Sequence, residues 1–152
     1  YEISACLGGS EMCIRDRSMS FYLKKEGFSG MANWMRKQSA KEVGHACTIA
    51  EYMVKREATP KVDKVDVVPQ GWGNSLEVFE HALEHEKHIS KLIDELVYLA
   101  SEEKDNATQD FLWKFVREQV EEEAGVQNIV NLLKKAGDSG ILFIDAKLDG
   151  CK

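Results

Sequence analysis

Only two prolines, Pro60 and Pro69, occur in 152 residues, and both fall in one segment. Proline removes a backbone donor and clashes with the preceding turn, so its absence elsewhere leaves long stretches free to be helical. Apolar residues recurring at three- and four-residue spacing predict helices from about Met31 to Arg56, from Ser75 to Glu102 and from Ala107 to Ala136. Ser18 to Lys25 reads as the end of a further helix, with Met19, Tyr22 and Leu23 on its apolar side. After Gly137-Asp138-Ser139-Gly140, a short amphipathic helix is expected over Ile141 to Leu148. Asn74 or Ser75, and then Asp105, Asn106 or Thr108, are the candidate caps.

The connections then set the topology. Glu26 to Gly30 and Lys104 to Asn106 are short turns, which make their flanking helices antiparallel. Ala58 to Gly73 is different. Its Val62, Val65 and Val67 alternate like a strand, but an isolated strand has no partner in an otherwise helical chain. A helix of about 26 residues is about 39 Å long, and sixteen extended residues reach roughly 50 Å. The segment is long enough to run the length of a bundle, so the helices on either side of it are expected to be parallel. The fold class is all-α: an up-down-down-up four-helix bundle with a long crossover between the second and third helices and a short C-terminal fifth helix.

Composition excludes several functions. The net charge is -6, which disfavours nucleic acid as a partner and suits the attraction of cations. No apolar run approaches the roughly 18 residues of a membrane span, and no basic-then-apolar leader is visible. Cys6, Cys13, Cys47 and Cys151 form no CxxC pair, which suits reduced thiols and a cytoplasmic location.

Three of the apolar stripes are interrupted by polar residues near their midpoints. The second helix reads Met35, Gln38, Glu42, His45, Ile49, Tyr52; the third, Phe79, Ala82, Glu86, Ile89, Ile93, Leu96; the fourth, Leu112, Phe115, Gln119, Glu122, Val126, Ile129, Leu133. An unpaired buried carboxylate costs several kcal/mol, roughly. A metal ion would neutralise such groups, and carboxylates with one imidazole suit iron or manganese. In an aligned bundle the three interruptions fall at one level. A metal-free ion pair of Glu42 with His45, or a polar layer at Gln119 and Glu122, are the alternatives. Glu118, Glu121 and Glu123 read first as a solvated face, as do His81, His85 and His88.

From about Met19 to Leu148 the chain resembles the bacterial non-haem ferritins. The strings that carry the resemblance are Ala32-Asn33-Trp34-Met35-Arg36-Lys37-Gln38-Ser39, Glu42-Val43-Gly44-His45-Ala46, His85-Glu86-Lys87, Glu102-Glu103-Lys104-Asp105, Phe115 through Glu123 and Leu142-Phe143-Ile144-Asp145. The resemblance implies a ferritin-like domain over residues 18–152 and a homo-oligomeric cage of 24 subunits. It implies a ferroxidase that oxidises ferrous iron with dioxygen or hydrogen peroxide and stores ferric mineral, with no haem. It also implies roles. Glu42 would bridge two irons, His45 would ligate the first and Glu86 the second. Gln119 would orient oxidant or water, and Glu122, Glu118 and Glu121 would form an adjacent third iron site.

Residues 1–17 depart from this pattern. The family places a first-helix Glu where Gly9 stands, and a Tyr where Asp16 stands. The string Gly8 to Arg17 resembles translated sequencing-adapter read-through more than any helix of the family, and on that reading the native first half of the helix has been lost. Lys41 stands where the third site usually has a carboxylate, and Trp113-Lys114 replaces a polar-then-Trp order. A non-catalytic storage subunit, or a small di-iron oxidase that forms no cage, are the rival functions.

Overall fold

The computed structural model describes the backbone of residues 6–61 and 68–150, and the side chains of residues 11–61 and 68–150. Val62, Val65 and Val67 of the expected crossover lie outside the described residues, as does the Gly9 position's side-chain environment. Four helices account for most of the described chain: α1 (Cys6–Lys25), α2 (Ser29–Lys55), α3 (Ser75–Glu102) and α4 (Asn106–Asp149). No strand occurs among the described residues. None of the described helices is long and apolar enough to cross a membrane.

The helix ends follow local chemistry. α3 opens on a reciprocal cap: Asn74 Oδ1 accepts from the Glu77 amide at 3.0 Å, and Glu77 Oε2 accepts from the Asn74 amide at 2.7 Å. Asp105 caps α4, its two carboxylate oxygens accepting from the amide and the hydroxyl of Thr108 at 3.1 and 2.7 Å. Replacing Asp105 with Ala is expected to cost about 1 kcal/mol, read as a fall in Tm of roughly 2–4 °C. The short fifth helix is present as the end of α4. Gly137, at φ 59° and ψ -177°, breaks the helical path, and beyond it Ile144 and Leu148 are buried while Leu142 and Phe143 are exposed.

The chain divides into two compact units, one of residues 1–78 with 132–152, the other of residues 79–131. In the first, α1 and α2 form an antiparallel hairpin. Ser39 Oγ donates to the Cys13 carbonyl and Ser20 Oγ to the Ala32 carbonyl, both at 2.8 Å, so a step forward along α1 is an equal step back along α2. Met12, Met19, Leu23, Met31 and Met35 are buried in this unit. α1 begins at Cys6, well before the apolar signal at Ser18. Its inner stripe is Met12, Asp16, Met19, Ser20 and Leu23, all buried.

The start of α2 has no side-chain cap of its own at Phe28. Asp145 supplies one from the far end of the chain, accepting from the Met31 amide at 2.8 Å. Asn33 Nδ2 donates to Asp149 Oδ1 at 2.7 Å. Gly30 lies between these bonds, so close to the Asp145 backbone that a Cβ would overlap its carbonyl oxygen. The second unit is built on Phe79, Ala82, Ile93, Leu112, Phe115, Val126 and Ile129, all buried.

Candidate metal centre

In the first unit, Glu42 sits midway along α2 and is 3% exposed. The antiparallel hairpin turns this face inward, burying Met35, Gln38 and Ser39 as well. One turn on, half-buried His45 brings Nδ1 to 3.4 Å from Glu42 Oε1. The i, i+3 spacing puts the carboxylate and the imidazole on one helix face. Cys13 lies near enough to feel this charge. Its thiol pKa is raised, by burial first and then by the negative charges of Asp16 and Glu42, with Arg17 opposing.

A raised thiol pKa leaves less thiolate at a given pH, and thiolate is the reactive form. Cys13 is therefore expected to alkylate with iodoacetamide more slowly in native protein than in urea at pH 8, as read by peptide mass spectrometry. The linked stability is complete below the unfolded thiol pKa and is lost as pH rises through the folded one.

In the second unit, Glu86 and Gln119 are 3% and 4% exposed. Gln119 Nε2 donates to Glu86 Oε2 at 3.1 Å and lies 3.3 Å from the Glu86 backbone oxygen. Glu86 comes from α3 and Gln119 from α4, and each interrupts a mainly apolar stripe, with Phe79, Ala82 and Ile93 buried on α3 and Leu112, Phe115 and Val126 on α4. Glu122, one turn beyond Gln119, is half-buried, and Glu121 is exposed. Half-buried Glu118 lies 3.8 Å from exposed Lys114. Lys41 is exposed on α2.

Each unit thus pairs one buried carboxylate with one nitrogen-bearing side chain. Among the described residues, no three His, Cys, Asp or Glu side chains are grouped closely enough to hold a metal ion. Two further participants are present: Ser90, unmarked in the sequence, and Glu123, read there as a solvated face. Ser90 and Glu123 are hydrogen-bonded to each other, and Ser90 Oγ lies 3.4 Å from Gln119 Nε2. The only cue to them was spacing: each stands four residues after a site residue on the same helix.

Comparisons with known proteins bear on the family and the fold. The ferritin-like domain model matches residues 17–136. The bacterial non-heme ferritin of Bacteroides fragilis (strain 638R) is 60% identical over 147 residues, 97% of this chain and 91% of that relative. That of Staphylococcus aureus (strain MRSA252) is 33% identical over 131 residues, 86% of this chain and 79% of the relative. An open pore ferritin from the hyperthermophilic archaeon Archaeoglobus fulgidus superposes with a TM-score of 0.94 at 36% identity, covering 97% of this chain and 93% of that one. Its helices and that superposition define a ferritin-like four-helix bundle. The chain belongs to the ferritin family, in its bacterial non-haem branch. Iron storage with ferroxidase chemistry is the activity of that family.

Proposed function

We propose that this chain binds two ferrous ions per subunit, oxidises them and stores the ferric product. Iron is the substrate and the cargo. Glu42 and His45 ligate one ion and Glu86 ligates the other, with Gln119 beside it. The observation that carries this reading is the burial of both carboxylates within apolar stripes, Glu42 and Glu86 each being 3% exposed. Buried carboxylates are costly unless a cation or donors compensate them, and iron is a cation that oxygen and imidazole ligands suit. Each ferrous ion gives one electron to dioxygen or hydrogen peroxide. The chain's part is to hold the ions in place and to leave coordination positions open. Glu122, Glu118 and Glu121 on α4 would supply the adjacent third iron site.

The oligomer belongs to the same proposal. Tyr98, Val120, Leu142 and Phe143 are each more than 60% exposed, and such large exposed apolar groups favour association. We take the assembly to be a homo-oligomeric cage of 24 subunits in the cytoplasm, which light scattering on the purified protein would measure. A second reading, a storage subunit without fast oxidation, is favoured by Gly9 standing at the family's Glu position. Stopped-flow mixing at two irons per subunit separates the two. A rapid oxidation phase supports the ferroxidase, and slow mineralisation alone supports the storage subunit.

A further inference from the structure

The polar contacts around Gln119 extend beyond Glu86. Four residues stand at the corners of one network. Glu86 and Ser90 are four apart on α3, and Gln119 and Glu123 are four apart on α4, so each pair shares a helix face. Gln119 Nε2 lies 3.1 Å from Glu86 Oε2 and 3.4 Å from Ser90 Oγ. Ser90 Oγ in turn donates to Glu123 Oε1.

Donor counting fixes the direction of these bonds. An ionised carboxylate only accepts, and a serine hydroxyl has one hydrogen and two lone pairs. The Ser90 hydrogen is committed to Glu123, so its lone pairs face the Gln119 amide. The amide nitrogen has two hydrogens, and its neighbours at Glu86 and Ser90 are both acceptors. The nitrogen therefore points at Glu86, and the amide oxygen points away from it. A hydroxyl that donates to a charged acceptor is itself a better acceptor, so Glu123 strengthens the hold on Gln119 through Ser90.

We propose that Ser90, backed by Glu123, is a positioning residue for iron oxidation. It holds the Gln119 amide against Glu86 Oε2 and so fixes the carboxylate that ligates the ion. The inference rests on the reading of Glu86 as an iron ligand. Without the Ser90 hydroxyl the amide keeps only the Glu86 carboxylate and backbone oxygens as acceptors and turns more freely. Glu86 is then held less firmly, and the ion it ligates binds less tightly. Partners of this kind typically alter metal affinity or activity by roughly 10–100-fold.

The test uses the assembled protein and four forms: wild type, Ser90→Ala, Ser90→Thr and Glu86→Ala. Anaerobic ferrous titration by calorimetry reads the two binding events, and stopped-flow mixing with oxygen reads the rate. Ser90→Ala is expected to weaken one of the two ferrous equivalents and to slow oxidation about tenfold, with the other equivalent unchanged. Ser90→Thr keeps the hydroxyl and is expected to stay near wild type. The proposal is overturned if Ser90→Ala matches wild type. It is equally overturned if Ser90→Thr fails as badly as Ser90→Ala, because packing rather than the hydroxyl would then be responsible. Glu86→Ala separates the role of Ser90 from that of Glu86. If it removes one equivalent while Ser90→Ala does not, only the role of Ser90 falls. If it removes none, the reading of Glu86 falls and the proposal with it.

Discussion

A Glu42→Gln variant loses the rapid phase of ferrous oxidation while its apoprotein melts no lower than wild type. The substitution keeps the size of the side chain and removes its charge. A neutral amide is a poor ligand for ferric iron, which prefers anionic oxygen. Losing several kcal/mol of metal stabilisation corresponds to a rate about 100-fold lower, or less still. Stability should move the other way. Glu42 is buried, with His45 Nδ1 at 3.4 Å, and a buried charge is held at a cost that a neutral group avoids. The pairing of results is what discriminates. If Glu42 and His45 were a structural ion pair, Glu42→Gln would lower Tm and leave oxidation intact. Stopped-flow absorbance and a thermal melt on the same preparation read both quantities.

Gly30→Ala has the largest expected effect on folding. Gly30 lies in the first turn of α2, where the end of α4 crosses it. A Cβ there would overlap the Asp145 carbonyl oxygen, with the carbonyl carbon at 2.8 Å and the Asp149 amide nitrogen at 2.9 Å. These are backbone atoms, so no rotamer change relieves the clash. The C-terminal segment must move, and with it go the Asp145 cap on the Met31 amide and the bond between Asn33 and Asp149. Overpacking of this kind costs about 1–3 kcal/mol, and the lost cap adds about 1. A fall in Tm of roughly 5–15 °C is expected, measured by circular dichroism. A melt unchanged from wild type would mean that the C-terminal segment does not bear on α2 in this way.

Where each buried face repeats an apolar pattern, the sequence sufficed. The bounds of α3 at Ser75 and Glu102, the break at Gly137 and the amphipathic end of α4 were all legible, because period and capping residues agree there. So were Glu42, Glu86 and Gln119, polar residues inside apolar stripes, and all three are buried. The first part of α1 was not legible. Its inner stripe carries Asp16 between Met12 and Met19, with two adjacent glycines before it, and so few apolar residues give a weak period. Its helical state comes from pairing with α2 rather than from its own pattern. Ser90 went unmarked, and Glu123 read as a solvated face, for a different reason. A serine and one of three successive glutamates look like surface, and only the meeting of α3 with α4 makes them partners. Asp145 acts across more than a hundred positions of sequence, a distance at which no local pattern marks a cap.

Two ferrous ions are expected to bind per subunit and to be oxidised there. Anaerobic ferrous titration, followed by rapid mixing with oxygen, tests this most directly. Saturation at two irons per subunit with a fast oxidation phase is the predicted result. Saturation at one or none, followed only by slow mineralisation, would contradict it.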